Sequence, residues 1–173
     1  KCIKYIIFKS IMNKQRINQL LSIPKPFVKW VGGKRRLLPH ITKIINQLDL
    51  NKYRYFEPFA GGGSVFMNLN ISKAVISDYN EELINTYEVI KDIDKLKELI
   101  KILDERYSRD IFIKESHYNE KNNKEIFFYR PIEKFYLKER SRVYKRAVER
   151  AARFIYLNKS CYNGMYRVNS KNK

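Results

Sequence analysis

The stretch YFEPFAGGGSVFMNL, residues 55–69, limits what this chain can fold into more than any other. Three consecutive glycines join two apolar runs, so the backbone must turn sharply between two segments that both want burial. KAVISD follows at 73–78, a second short apolar run that ends in a carboxylate. Asn80 then heads EELINTYEVI as an N-cap, with acidic residues in the first turn. KDIDKLKELIKILDERY predicts a further amphipathic helix with Ile93, Leu96, Ile100 and Leu103 on one face. Strand, turn, helix, strand, helix is the grammar of a doubly wound α/β domain.

Upstream, Pro24 and Pro26 favour an extended entry into FVKW, and GGK leads into a helical pattern. Leu37, Leu38, Ile41, Ile44, Ile45 and Leu48 form one apolar stripe, with Pro39 early enough to be tolerated. Beyond Tyr107 the texture changes. Residues 108–138 are polar and aromatic without clear period, and a long helix is expected from Glu139. Val143, Ala147, Ala151, Phe154 and Ile155 would face inward, with Arg140, Arg142, Lys145, Arg146, Arg150 and Arg153 outward. Those cations read either as a phosphate-facing surface or as a solvated helix supported by a Glu149–Arg153 pair.

The net charge is +18 over 173 residues, which favours a polyanionic partner because Lys and Arg release counterions from phosphates. A lysine-rich composition in general is the competing explanation. Cys2 and Cys161 are the only cysteines and His40 and His117 the only histidines, so no spacing resembles a zinc site or a disulfide framework. The apolar runs are too short to span a membrane, and the first residues have too short an apolar centre for a signal peptide. A cytoplasmic protein is the expectation. Met12 is a candidate start, and residues 1–11 carry no functional reading.

Three chemistries compete for Gly61, Gly62 and Gly63. A P-loop needs Lys and Ser/Thr after the glycines, but Ser64 and Val65 follow instead. A dinucleotide turn wants a third glycine where Phe66 stands. S-adenosylmethionine has no pyrophosphate; its turn needs backbone room, and a carboxylate such as Asp78 at the end of the next strand for the ribose hydroxyls. A plain strand-to-helix turn accounts for these residues equally well. Trp30 and Lys34 in PFVKWVGGKRRLL add a flat ring and a cation near a helix start, each with an ordinary structural reading too.

Taken in order, FVKWVGGK, FEPFAGGGSVF, ISDYNEELINTY and LNKSCYNGMYRVN resemble the Dam-like DNA adenine N6-methyltransferases, the last through a YNG-x-x-R-x-N segment. The four motifs cover nearly everything from Phe27 onward. The resemblance implies an α/β fold, a Rossmann-like S-adenosylmethionine-dependent methyltransferase with an incomplete sheet and a mainly helical target-recognition subdomain. Residues 1–26 would be an extension, 27–105 the cofactor-binding part and 106–173 the recognition part. It implies S-adenosyl-L-methionine held by Trp30, Lys34, Phe59, Gly61, Gly63 and Asp78. Double-stranded DNA would be contacted by Tyr162, Asn163, Arg167 and Lys29.

Methylating adenine requires extruding the base and drawing electron density onto a poorly nucleophilic amine. In families with this motif order a D/N/S-P-P-Y/F/W tetrapeptide does so, and it does not occur in the 173 residues. No catalytic residue and no metal ligand are therefore assigned. The sequence reads as an N-terminal fragment, inactive alone, whose missing half a second chain could supply. A non-catalytic DNA-binding remnant, a basic RNA- or ribosome-associated protein and a generic nucleotide binder are the alternatives.

Overall fold

The computed structural model describes residues 26–49, 52–69, 73–108 and 112–161. They fall into two compact units, Lys1–Glu88 and Val89–Lys173.

In the first unit a 3-10 turn, Lys34–Leu37, runs into helix α1, Leu38–Ile45. Pro39 lies in the first turn of α1, where its missing N–H breaks no helical bond. The predicted stripe is only partly buried: Leu37, Ile44 and Leu48 are exposed, since nothing among the described residues covers them. Strand β1, Tyr55–Glu57, and strand β2, Ala74–Ile76, pair in parallel, with Phe56 opposite Val75. Parallel neighbours need a crossover. The glycine turn and helix α2, Ser64–Leu69, supply it. Helix α3, Glu81–Lys91, follows. Asn80 Oδ1 accepts the Leu83 N–H at 2.9 Å, the cap expected from the sequence. Val28, Ala60, Val65, Leu83 and Tyr87 make the interior of this unit, together with buried Glu57 and Thr86.

The second unit is built on two helices. Helix α4, Ile93–Arg106, buries Leu96, Leu99 and Leu103. Ile93, expected on that face, is exposed, and Leu99 is fully buried. Asp92 caps α4 by accepting the Asp94 and Lys95 N–H groups. Helix α6, Ala147–Ser160, packs against α4 and is buried without interruption from Phe154 to Asn158.

Glu139 does not begin a long helix. Helix α5, Glu133–Ser141, ends and the chain turns through Arg142–Arg146 before α6 starts. The break has a physical cause. Glu139 is fully buried, and its carboxylate accepts from Tyr107 Oη at 2.7 Å, Tyr144 Oη at 3.0 Å and Arg142 at 2.9 Å. Arg153, reaching from α6, donates to the Glu139 and Arg140 carbonyls and caps the α5 C-terminus. Val143, expected inside, is 87% exposed on the break, and Ala147 is exposed at the head of α6.

Between α4 and α5 lies an antiparallel hairpin absent from the sequence expectation. Strand β3, Phe112–Asn119, pairs with strand β4, Lys124–Pro131, from Phe112 opposite Pro131 to Asn119 opposite Lys124. Its four-residue loop closes through Asn122 N–H to Asn119 O, and Asn123 takes the left-handed conformation at φ 50°. Tyr118 Oη and Asn123 Oδ1 bond across it. Tyr156 of α6 gathers rings from the rest of the unit. It stacks on Tyr107 at 4.5 Å and 9°, and meets Phe135 and Phe112 edge-on at 5.7 and 6.1 Å.

Candidate functional site

The glycine turn leaves β1 at its carboxyl end. Gly61 and Gly63 have φ of 52° and 71°, a conformation that disfavours any side chain. Asp78, two residues beyond β2, reaches back to this turn. Its Oδ2 accepts the Gly61 N–H at 2.9 Å and its Oδ1 the Asn80 N–H at 3.0 Å. The carboxylate thus braces the glycine turn and the start of α3 together.

Trp30 lies directly on Gly61: a Cβ there would stand 2.7 Å from the indole Cδ1. Four residues on, Lys34 Nζ donates to the Phe59 carbonyl at 3.0 Å and lies 3.9 Å from Glu57 Oε1. These groups enclose a pocket of about 190 Å³. Of the six residues assigned to a cofactor from the sequence, Trp30, Lys34, Phe59, Gly61 and Asp78 all line it. Gly63 does not. It faces the interior, where a Cβ would come within 2.6 Å of the Tyr87 hydroxyl.

Two residues that matter here escaped the sequence reading. Glu57 lines the pocket although its side chain is only 7% exposed. Its Oε2 accepts from Tyr55 Oη and from the Phe66 N–H, both at 3.1 Å. Oε1 has no hydrogen-bond partner among the described residues. The signal was there in FEPF, a carboxylate set in an apolar strand just before the glycines. Tyr87 is the second, its hydroxyl donating to the Gly61 carbonyl at 2.9 Å. Burial, then the charges of Glu57 and Asp78, push its phenol well above the ordinary range, so it remains a donor. Burial and the adjoining Glu57 likewise raise the Tyr55 phenol to about 12.

The DNA assignments fare differently. Lys29 is exposed and does not line the pocket. Tyr162, Asn163 and Arg167 lie outside the described residues. The Glu149–Arg153 pair of the solvated-helix alternative is not formed, because Glu149 binds Arg106 at 3.1 Å while Arg153 caps α5. Arg142 and Arg146 are likewise tied to Glu139 and Glu98. Three of the six cations read as outward-facing, Arg142, Arg146 and Arg153, are therefore engaged with groups of the second unit itself. Among the described residues no cluster of His, Cys, Asp or Glu could hold a metal ion, and no helix is long and apolar enough to cross a membrane.

A pocket lies at the carboxyl ends of two parallel strands, walled by a glycine turn and by a carboxylate two residues beyond the second strand, the place where open α/β sheets take their ligands. Residues 30–173 match the family model of the D12 class N6 adenine-specific DNA methyltransferases. The chain belongs to that family. It is 40% identical over 171 residues to the type II methyltransferase M1.LlaDCHI of Lactococcus lactis subsp. cremoris, covering 95% of this chain and 49% of that protein. The type II methyltransferase M.MjaIII of Methanocaldococcus jannaschii is 40% identical over 155 residues, 85% of this chain and 49% of its own length. A DNA adenine methylase of Haemophilus influenzae is 32% identical over 153 residues, 86% and 45% respectively. The chain thus spans about half the length of these curated relatives.

Proposed function

We propose that this chain carries the S-adenosylmethionine-binding part of a site-specific DNA adenine N6-methyltransferase. Residues 27–105 form the cofactor part, with β1 and β2 belonging to a Rossmann-like sheet, and 106–173 serve target recognition on double-stranded DNA. The observation that carries this reading is the pocket, because its chemistry suits each end of one molecule. Lys34 offers a cation to a carboxylate. Glu57 Oε1, ion-paired with Lys34 at 3.9 Å but accepting no hydrogen bond among the described residues, offers an acceptor to an ammonium; together they suit a zwitterionic amino acid. Asp78 offers acceptor capacity to paired hydroxyls and Trp30 a flat face to a base. Bound here, S-adenosylmethionine would supply an electrophilic methyl group on a sulfonium.

What the residues themselves do is bind and orient. The brace from Asp78 fixes the turn before any ligand arrives, so less ordering is required on binding. Lys34 already has its ammonium directed at the turn by the Phe59 carbonyl. Tyr162, Asn163, Arg167 and Lys29 remain the proposed DNA contacts, Arg167 being suited to a guanine edge and Tyr162 to a stack vacated by a flipped base.

The reading is tested by titrating the purified chain with S-adenosylhomocysteine and following the fluorescence of Trp30, the only tryptophan. Saturable quenching, weakened about tenfold or more in Lys34→Ala, is expected from the loss of one charge-assisted contact. Absence of any saturable change at millimolar ligand overturns it.

A further inference from the structure

Gly61 is held at three points, and one of them is not explained by ligand binding. Asp78 takes its N–H, and the Trp30 indole lies over its Cα. Its carbonyl accepts from the Tyr87 hydroxyl in a buried bond of 2.9 Å. Tyr87 does not line the pocket; it sits behind the turn in the interior of the unit. The edge of Phe27 fixes its ring, with centroids 5.1 Å apart at 80°. The same hydroxyl occupies the space beside Gly63 that a side chain there would need.

A run of three glycines is the least constrained backbone a chain can have, and it loses the most freedom on ordering. Something outside the turn must hold it in one shape if it is to be a seat rather than a hinge. Asp78 and Trp30 could do so from the pocket side, but a ligand would engage both. Of the three grips on Gly61, the one from Tyr87 reaches the turn from behind, where a ligand leaves it undisturbed.

We propose that Tyr87 is the positioning residue of the cofactor turn, its hydroxyl fixing the Gly61 carbonyl and so the surface that the turn presents to S-adenosylmethionine. The inference rests on the cofactor reading given above. It makes Gly63 and Tyr87 one device split between two distant motifs: glycine provides the space and the phenol uses it to grip the next peptide but one. Tyr87 acts through Gly61 and does not touch the ligand.

Tyr87→Phe in the full chain keeps the ring and removes the hydroxyl. The expected result is a tenfold or greater loss of S-adenosylhomocysteine affinity and a shifted Trp30 emission in the ligand-free chain, with far-ultraviolet circular dichroism unchanged. Wild-type affinity together with wild-type emission in the variant overturns the proposal while leaving the cofactor reading intact. No binding by the wild-type chain overturns both. Should the variant fail to fold, NMR on the wild type decides. A slowly exchanging Tyr87 hydroxyl proton, close to the Gly63 α protons, supports the proposal; a rapidly exchanging hydroxyl with no such proximity overturns it.

Discussion

Asp78 accepts from two backbone N–H groups at once, and this sets what its replacement would do. An asparagine has one acceptor oxygen and one amide nitrogen, so either the Gly61 or the Asn80 N–H would face another donor. Asp78→Asn is expected to destabilise the chain by about 1–3 kcal/mol, the cost of a part-buried unsatisfied group. S-adenosylhomocysteine affinity should fall by more than tenfold, checked by thermal melting and by titration. The side chain of Tyr156 offers the opposite case. Its hydroxyl is buried with no hydrogen-bond partner among the described residues, although its ring contacts four others. Tyr156→Phe should therefore be neutral or stabilising, whereas Tyr156→Ala should cost about 3–5 kcal/mol in denaturant unfolding.

Helix α4 depends on one charged cap. The Lys95 N–H and side chain, with the Asp94 N–H, hold the Asp92 carboxyl below its ordinary value of 3.8. A carboxyl lowered in the fold contributes stability that is present above its unfolded value and lost as pH falls through the folded one. Asp92→Asn keeps the capping oxygen without the charge. Its deficit against the wild type, measured by thermal melting, should be present at pH 7 and shrink toward pH 3. Elements of this kind were partly legible from local chemistry: Asn80 announces its helix and the glycines announce the turn into α2, whereas Asp92 was read inside its helix and its capping role emerges only from the structure. The hairpin was not, because Lys114, Ser116 and His117 of one strand and Lys124 to Phe127 of the other are exposed on both faces and leave no alternation to read. The break after Ser141 was hidden for another reason. Glu139 read as the first residue of a helix and Arg153 as an outward cation, until tertiary contacts bury the first and turn the second into a cap. In the pocket, Asp78 was marked by its place at the end of the second strand and Lys34 by its place after a glycine pair, and the motif resemblance assigned both to a cofactor. Glu57 and Tyr87 needed the fold, since their importance lies in what they touch.

For the whole molecule, a net charge of +18 and the missing tetrapeptide lead to separable expectations. Duplex DNA should bind with an affinity that falls linearly with salt on logarithmic axes, by a slope of about 0.9 per phosphate neutralised. Fluorescence anisotropy across a salt series measures it, and a flat line would contradict a phosphate interface. With tritiated S-adenosylmethionine and mixed-sequence duplex, the 173-residue chain is expected to transfer no label, because nothing in its sequence resembles the clamp that activates adenine. The hairpin, finally, bears on how such a chain can diverge. Its ladder runs without interruption from Phe112–Pro131 to Asn119–Lys124, and local hydrogen bonds close the loop at its tip. Adding or deleting two residues on each strand preserves which side chains share a face. A change of length in steps of four would therefore leave the ladder's face assignment intact, so an arm longer or shorter by that step keeps the same side chains on the side it presents to the rest of the unit.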